Sequence, residues 1–153
     1  MRSILTICSF LCFLDFTWAQ AEHHTINVGG FGGISREYYL YVPDEVDLNT
    51  SLIFILHGYS GSASGIMGYS GINNLADEHN FIACYPQGTN DDNGYAFWNV
   101  GYSFHANVEV DDVEFIRTLR AHIIQEYYLT EYNIFSTGMS NGGDMSYLLA
   151  CQA

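Results

Sequence analysis

Lysine is missing altogether: four arginines stand against seventeen acidic residues, for a formal net charge of −13. A surface of that sign repels nucleic acid and anionic lipid, which excludes phosphate-backbone binding. Beyond the first twenty residues there is no apolar run long enough to cross a bilayer. Cysteine is scarce as well. Cys8 and Cys12 lie in the N-terminal segment, leaving Cys84 and Cys151. Export would allow these two to pair; otherwise they read as buried, unpaired thiols, one in a strand and one in a helix. No histidine or cysteine spacing resembles a zinc site, and no internal repeat or low-complexity linker divides the chain. After Ser140 there is no histidine at all.

Residues 1–21 have the layout of a secretory signal peptide. Met1-Arg2 is a short positive start, Ile4 to Leu14 a mostly apolar stretch, and Thr17-Trp18-Ala19-Gln20-Ala21 offers cleavage after Ala19 or Ala21. A buried N-terminal helix is the alternative. Loss of Arg2 and Asp15 together leaves the charge at −13, so the expected product is an acidic, exported, soluble domain over residues 22–153.

Thr25 to Val28 and Arg36 to Val42 read as strands, joined by a turn at Gly29-Gly30-Phe31-Gly32-Gly33. Those glycines open no helix, so they are no phosphate cradle. Leu52 to Leu56 has the continuous apolar run of a central strand, ending at His57-Gly58-Tyr59. A helix is predicted over Ile66 to His79, a strand over Phe81 to Tyr85, and a long aromatic loop over Thr89 to Asn107. Asp111 and Glu114 form a capping box for a helix to about Tyr127, with Val113, Ile116, Leu119, Ile123 and Ile124 at helical spacing. Tyr132 to Thr137 is a strand and Asn141 to Gln152 a helix. Alternating strands and helices imply an α/β fold with a mostly parallel sheet. In the polar loop before Leu52, Asn49-Thr50-Ser51 is a glycosylation sequon for a eukaryotic host.

Between that last strand and helix stands Gly138-Met139-Ser140-Asn141-Gly142, a G-x-S-x-G nucleophile elbow in its expected strand–turn–helix context. Ser140 is the candidate nucleophile, and Gly138 and Gly142 stand where side chains would collide. Acyl transfer also needs donors for the oxyanion. The Asn141 backbone N–H and that of Tyr59, or a residue just beyond it, are the candidates. His57 is read as anchoring its loop by hydrogen bonding, and His79, His105 and His122 are not assigned as the base. Asp111 is accounted for by capping, against a triad acid or an Asp111–Asp112 metal pair. Tyr95, Phe97, Trp98 and Tyr102 either line a substrate pocket or pack together under the loop.

The motifs come in a telling order: Arg36-Glu37-Tyr38-Tyr39-Leu40-Tyr41-Val42-Pro43, Leu56-His57-Gly58, Tyr85-Pro86-Gln87-Gly88, Trp98-Asn99, Val110-Asp111-Asp112-Val113-Glu114-Phe115-Ile116 and Gly138 to Gly143. From about Thr25 to Ala153 the series resembles the polyhydroxybutyrate depolymerase and feruloyl esterase families of the α/β-hydrolase superfamily. The resemblance implies a secreted carboxylic-ester hydrolase with no cofactor or metal, acting on a small or polymeric ester through an acyl-enzyme on Ser140. In those families the triad acid and histidine follow the serine, and only thirteen residues follow it here. The expectation is therefore an α/β-hydrolase fold truncated after the elbow helix, with an open sheet edge beside the nucleophile and no activity of its own. A serine peptidase of the same superfamily and a non-catalytic secreted binding protein remain as alternatives.

Overall fold

A computed structural model of the chain describes residues 20–30, 32–105 and 107–153, so nearly all of the expected signal peptide lies outside the described residues. Five strands form the main sheet: β1 (Glu22–Val28), β2 (Ile34–Tyr41), β3 (Ser51–Leu56), β4 (Phe81–Pro86) and β7 (Ile134–Gly138), in the order β1-β2-β4-β3-β7. β3 pairs in parallel with β4 and β7, whereas β2 is antiparallel to both of its neighbours. Four strands thus run one way and β2 alone runs against them. The β1–β2 hairpin turns through the glycine segment, where the Gly33 N–H donates to the Gly30 carbonyl.

Helices cover both faces because the central strands are apolar on both. Leu52, Phe54, Leu56, Ile82 and Cys84 project to one side and pack with Val113, Phe115, Ile116, Leu119 and Ile123 of α3 (Asp112–Tyr127) and Met145 and Leu149 of α4 (Asn141–Gln152). The intervening residues Ile55, Ala83 and Tyr85 project to the other side, against Ala63, Ile66 and Ala76. Each fully buried large side chain contributes about 1.5–3 kcal/mol, so this period-two division sets the register of the sheet.

The single helix expected over Ile66 to His79 is two: α1 (Ala63–Ser70) and α2 (Ile72–His79). The Ser62 hydroxyl caps α1 by accepting from the Gly65 N–H, and Gly71, at φ 67°, ends α1 and opens α2 at an angle only glycine adopts freely. Asp111 caps α3 as expected, accepting from the Glu114 N–H at 2.8 Å. The loop after β4 contains a short hairpin, β5 (Thr89–Asn90) and β6 (Ala96–Phe97), followed by a 3-10 turn over Ser103–His105. Cys84 and Cys151 are unpaired; Cys84 is buried, but Cys151 is exposed rather than buried, being on the outward face of α4.

β7 starts two residues later than its apolar run suggested, with Tyr132 almost fully exposed in the preceding turn. Among the described residues it is the edge of the sheet, and Phe135 is half exposed. A groove of about 380 Å³ runs beside it, lined by Phe54, Ile116, Ile134, Phe135 and Leu149.

Candidate active site

Ser140 joins β7 to α4 with φ 52° and ψ −120°, a conformation a non-glycine residue holds only when its surroundings enforce it. They do so by close approach. A side chain at Gly142 would meet the Leu56 carbonyl and stand 2.5 Å from that of His57; one at Gly138 would stand 2.5 Å from the Gly142 carbonyl. Neither site has room for a methyl group. The first turn of α4 therefore lies against the end of β3, and the exposed Ser140 side chain is carried at the tip of the turn.

The segment after β3 touches the same place. A Cβ at Gly58 would be 3.6 Å from the Ser140 Cβ, and the Met139 N–H donates to the Leu56 carbonyl. The next residues turn sharply: Gly61 N–H donates to the Gly58 carbonyl, and Ser60 is held at φ 60°. Among the described residues, neither the Tyr59 N–H nor the Asn141 N–H makes a hydrogen bond. Both are free, and the second lies at a helix N-terminus, where the backbone carries partial positive charge. A cleft of about 260 Å³ is lined by His57, Gly58, Ser60, Ile66, Tyr69 and Met139, the chain neighbours of Tyr59 and Ser140 among them.

His57 is an anchor. It is 1 % exposed, its Nε2 accepts from the Gly88 N–H at 2.9 Å, and its Nδ1–H donates to the Gly58 carbonyl at 2.8 Å. Burial lowers its pKa, with the Gly58 bond and the Asp112 charge opposing. Trp98 Nε1–H in turn donates to the His57 carbonyl at 2.9 Å. The Asn141 side chain clasps Trp98 from the other side, accepting from its N–H at 2.7 Å and donating to its carbonyl at 3.0 Å. Phe97 and Trp98 are thus fully buried struts, while Tyr95 is half exposed. Of the two readings of the aromatic loop, packing holds for the first pair.

Sequence reasoning missed three parts of this frame. The Asn141 clasp is one, since only its backbone was considered. The second is Asp112, which is fully buried, pairs with Arg36 at 2.7 Å and accepts from the Asn99 N–H at 2.7 Å. A signal existed, because Arg36 is a cation inside an apolar strand and a buried cation needs a carboxylate. The third is Asp91, which gathers Tyr59 and His105.

No triad partner accompanies Ser140 among the described residues. His57 and His105 are buried in bonds of their own, and His23, His24, His79 and His122 sit in ion-pair geometry with side chains open to solvent.

A sequence profile described as "Esterase PHB depolymerase" matches residues 36–153, most of the chain. The chain belongs to that esterase family. Within it the chain is similar to a probable feruloyl esterase C of Aspergillus niger, 34 % identical over 124 residues, which are 76 % of this chain and 41 % of the relative. A feruloyl esterase B of Thermothelomyces thermophilus is 26 % identical over 148 residues, covering 95 % of this chain and 50 % of that one. The chain thus spans half or less of the length of these curated relatives. Among solved structures it is similar to an acetyl xylan esterase from Aspergillus awamori (TM-score 0.66, 21 % identity, 84 % of this chain and 46 % of that one). It also resembles an S-formylglutathione hydrolase from Agrobacterium tumefaciens (TM-score 0.68, 13 % identity, 86 % and 53 %). At those identities the likeness shows the α/β-hydrolase fold, to which the single antiparallel strand β2 and the elbow between β7 and α4 conform.

Proposed function

We propose that this chain carries the nucleophile and oxyanion site of a secreted serine carboxylic-ester hydrolase, and that the acid and histidine of its triad come from chain beyond residue 153. The observation that carries the reading is the Ser140 backbone, held at φ 52° between glycines that cannot be enlarged. Nothing in the packing of a sheet requires that conformation, and presenting a hydroxyl at a strand end does.

Ser140 Oγ attacks the ester carbonyl carbon as a histidine takes its proton. The negative charge that develops on the carbonyl oxygen is met by the Tyr59 and Asn141 N–H groups. The tetrahedral intermediate collapses, the histidine returns the proton to the departing alcohol oxygen, and the acyl group stays on Oγ. Water, deprotonated by the same histidine, then releases the acid. Substrates are esters of the kind in the relatives' names, aromatic feruloyl esters among them, with the alcohol part small or polymeric. The feruloyl esterase relatives support this choice, and the leader-like residues 1–21 support export.

The test is hydrolysis of a p-nitrophenyl ester and of methyl ferulate by protein expressed from its complete reading frame, with Ser140→Ala alongside. Turnover abolished by Ser140→Ala is expected, together with essentially none from residues 22–153 alone. Removing the base lowers turnover by several orders of magnitude. Robust hydrolysis by the 22–153 chain, or activity surviving Ser140→Ala, refutes the reading.

A further inference from the structure

Asp91 carries more hydrogen bonds than its turn requires. One oxygen, Oδ1, closes the β5–β6 hairpin by accepting from the Asn93 and Tyr95 N–H groups at 2.9 Å each. That alone completes an Asx turn. The other, Oδ2, accepts from the Tyr59 hydroxyl at 2.6 Å and lies 3.3 Å from His105 Nε2. Asp91 is 8 % exposed and His105 4 %, so the bond between them is buried, while the bond from the more exposed Tyr59 is part-buried.

His105 is boxed by rings: Phe97 at 4.0 Å between centroids, Phe104 at 4.5 Å and Tyr59 at 5.9 Å. Its Nδ1 has no partner among the described residues, which assigns the Nε2 proton to the bond with Asp91. Four donors therefore converge on one carboxylate, and they hold its pKa well below the usual range, the Tyr59 hydroxyl foremost.

The geometry ties the oxyanion segment to its surroundings at two points. Ser60 N–H donates to the Ala96 carbonyl at 2.8 Å, and the Tyr59 ring, one residue earlier, is pinned by Asp91. Both anchors lie on the β5–β6 hairpin. The peptide that carries the Tyr59 N–H is already held on its carbonyl side, where Gly58 accepts from His57 Nδ1–H at 2.8 Å and from the Gly61 N–H at 3.0 Å, and the bond from the phenol to Asp91 is the restraint on the Tyr59 side. The turn that carries His105 is fastened in turn to the elbow helix, because the Tyr102 hydroxyl donates to Asp144 in the first turn of α4.

We propose that Asp91, backed by His105, is a positioning residue for ester hydrolysis: by holding the Tyr59 phenol it fixes the N–H that meets the oxyanion relative to Ser140. The assignment rests on the reading of Ser140 and Tyr59 given above. Tyr59→Phe removes one oxygen and keeps the ring, and Asp91→Asn keeps the turn acceptor while replacing the oxygen that gathers Tyr59 and His105. Loss of a whole oxyanion donor lowers kcat by about 10²–10³-fold. A donor left in place but held on its carbonyl side only should lower it by about 10- to 100-fold, with KM within about threefold of the parent because the oxyanion exists only after substrate has bound. The two changes act through one bond, so the double variant should be no slower than the slower single.

The measurement is kcat and KM for a p-nitrophenyl ester, with melting temperature, on protein expressed from its complete reading frame. A kcat within twofold of the parent in both singles overturns the proposal, as does a loss that tracks melting temperature or appears in KM alone. Should Tyr59→Phe not fold, Asp91→Asn decides by the same criteria. Ser140→Ala in the same series separates the two levels. If it retains activity, the esterase site and this inference fall together; if it is dead while Tyr59→Phe and Asp91→Asn are unaffected, only the positioning role falls.

Discussion

Replacing Asp112 by alanine should remove a large part of the stability of the domain. The carboxylate is fully buried and its partner Arg36 is 4 % exposed, so the guanidinium left behind would be a buried charge with no counterion. Breaking such a pair by deleting one side costs about 3–5 kcal/mol. Two contacts soften the loss: Arg36 Nη2 also donates to the Gln87 carbonyl at 3.1 Å, and the guanidinium lies 4.0 Å over the Phe115 ring. Against that, the Asn99 N–H loses its acceptor, at about 1–3 kcal/mol if water does not replace it. A net loss of about 4 kcal/mol follows, a large share of the roughly 5–15 kcal/mol that holds a typical domain. Urea unfolding followed by tryptophan fluorescence reads it cleanly. In residues 22–153 the one tryptophan is Trp98, which is buried and directly precedes Asn99, whose N–H donates to Asp112. The melting temperature should fall by about 10 °C. Two comparisons make the reasoning exposed to failure. The pair Arg120–Glu131, 3.9 Å apart at the surface, should lose less than about 1 kcal/mol on Glu131→Ala. The double change Arg36→Met with Asp112→Leu removes both charges and should recover most of the loss. An Asp112→Ala loss below about 1 kcal/mol, or a double variant as unstable as the single, would refute this account.

His57 makes the domain sensitive to mild acid. Its folded pKa is lowered by burial, so the stability it contributes is fully present above the ordinary histidine value of 6.5 and is lost as pH falls from there toward the folded pKa. The urea midpoint should decline below pH 6.5, and His57→Gln should flatten that decline; equal slopes in parent and variant would contradict it. Tyr59 acts at the other extreme. Its pKa is pushed up to about 12 by the bond to Asp91, so its contribution is full below pH 10 and is lost as pH rises toward 12. Ser140→Gly should abolish turnover yet stabilise the fold by about 1 kcal/mol, since strain of roughly 1–3 kcal/mol is relieved and part of the gain is returned through the freer unfolded chain. Calorimetry showing a lower melting temperature for that variant would argue against a strained serine. Expressed through a eukaryotic secretory pathway, the exposed Asn49 should take a glycan, seen as a mass shift removed by an amidase and absent in Asn49→Gln.

Much of this protein was legible because its signals are local. The run Leu52–Leu56 could only be a strand covered on both faces, the Asp111-to-Glu114 spacing marked the start of α3, and the glycines around Ser140 marked the elbow. The break at Gly71 was less legible, because a glycine inside a helical pattern is tolerated as often as it interrupts. Least legible were the bonds across long separations. Arg36 and Asp112 are 76 residues apart, Trp98 and Asn141 are 43 apart, and Tyr59 and Asp91 are 32 apart.

The sequence by itself determined the acidic surface, the α/β order of elements, the elbow and the family, since charge, periodicity and short motifs are properties of neighbouring residues. Only the tertiary structure decided which polar groups meet. It made Asp112 the counterion of Arg36, decided for packing over pocket lining at Trp98, and brought Asp91 under Tyr59. Burial is what gives those pairings their meaning, because a polar group withdrawn from water has to find a partner within the fold, and the partner can come from anywhere along the chain.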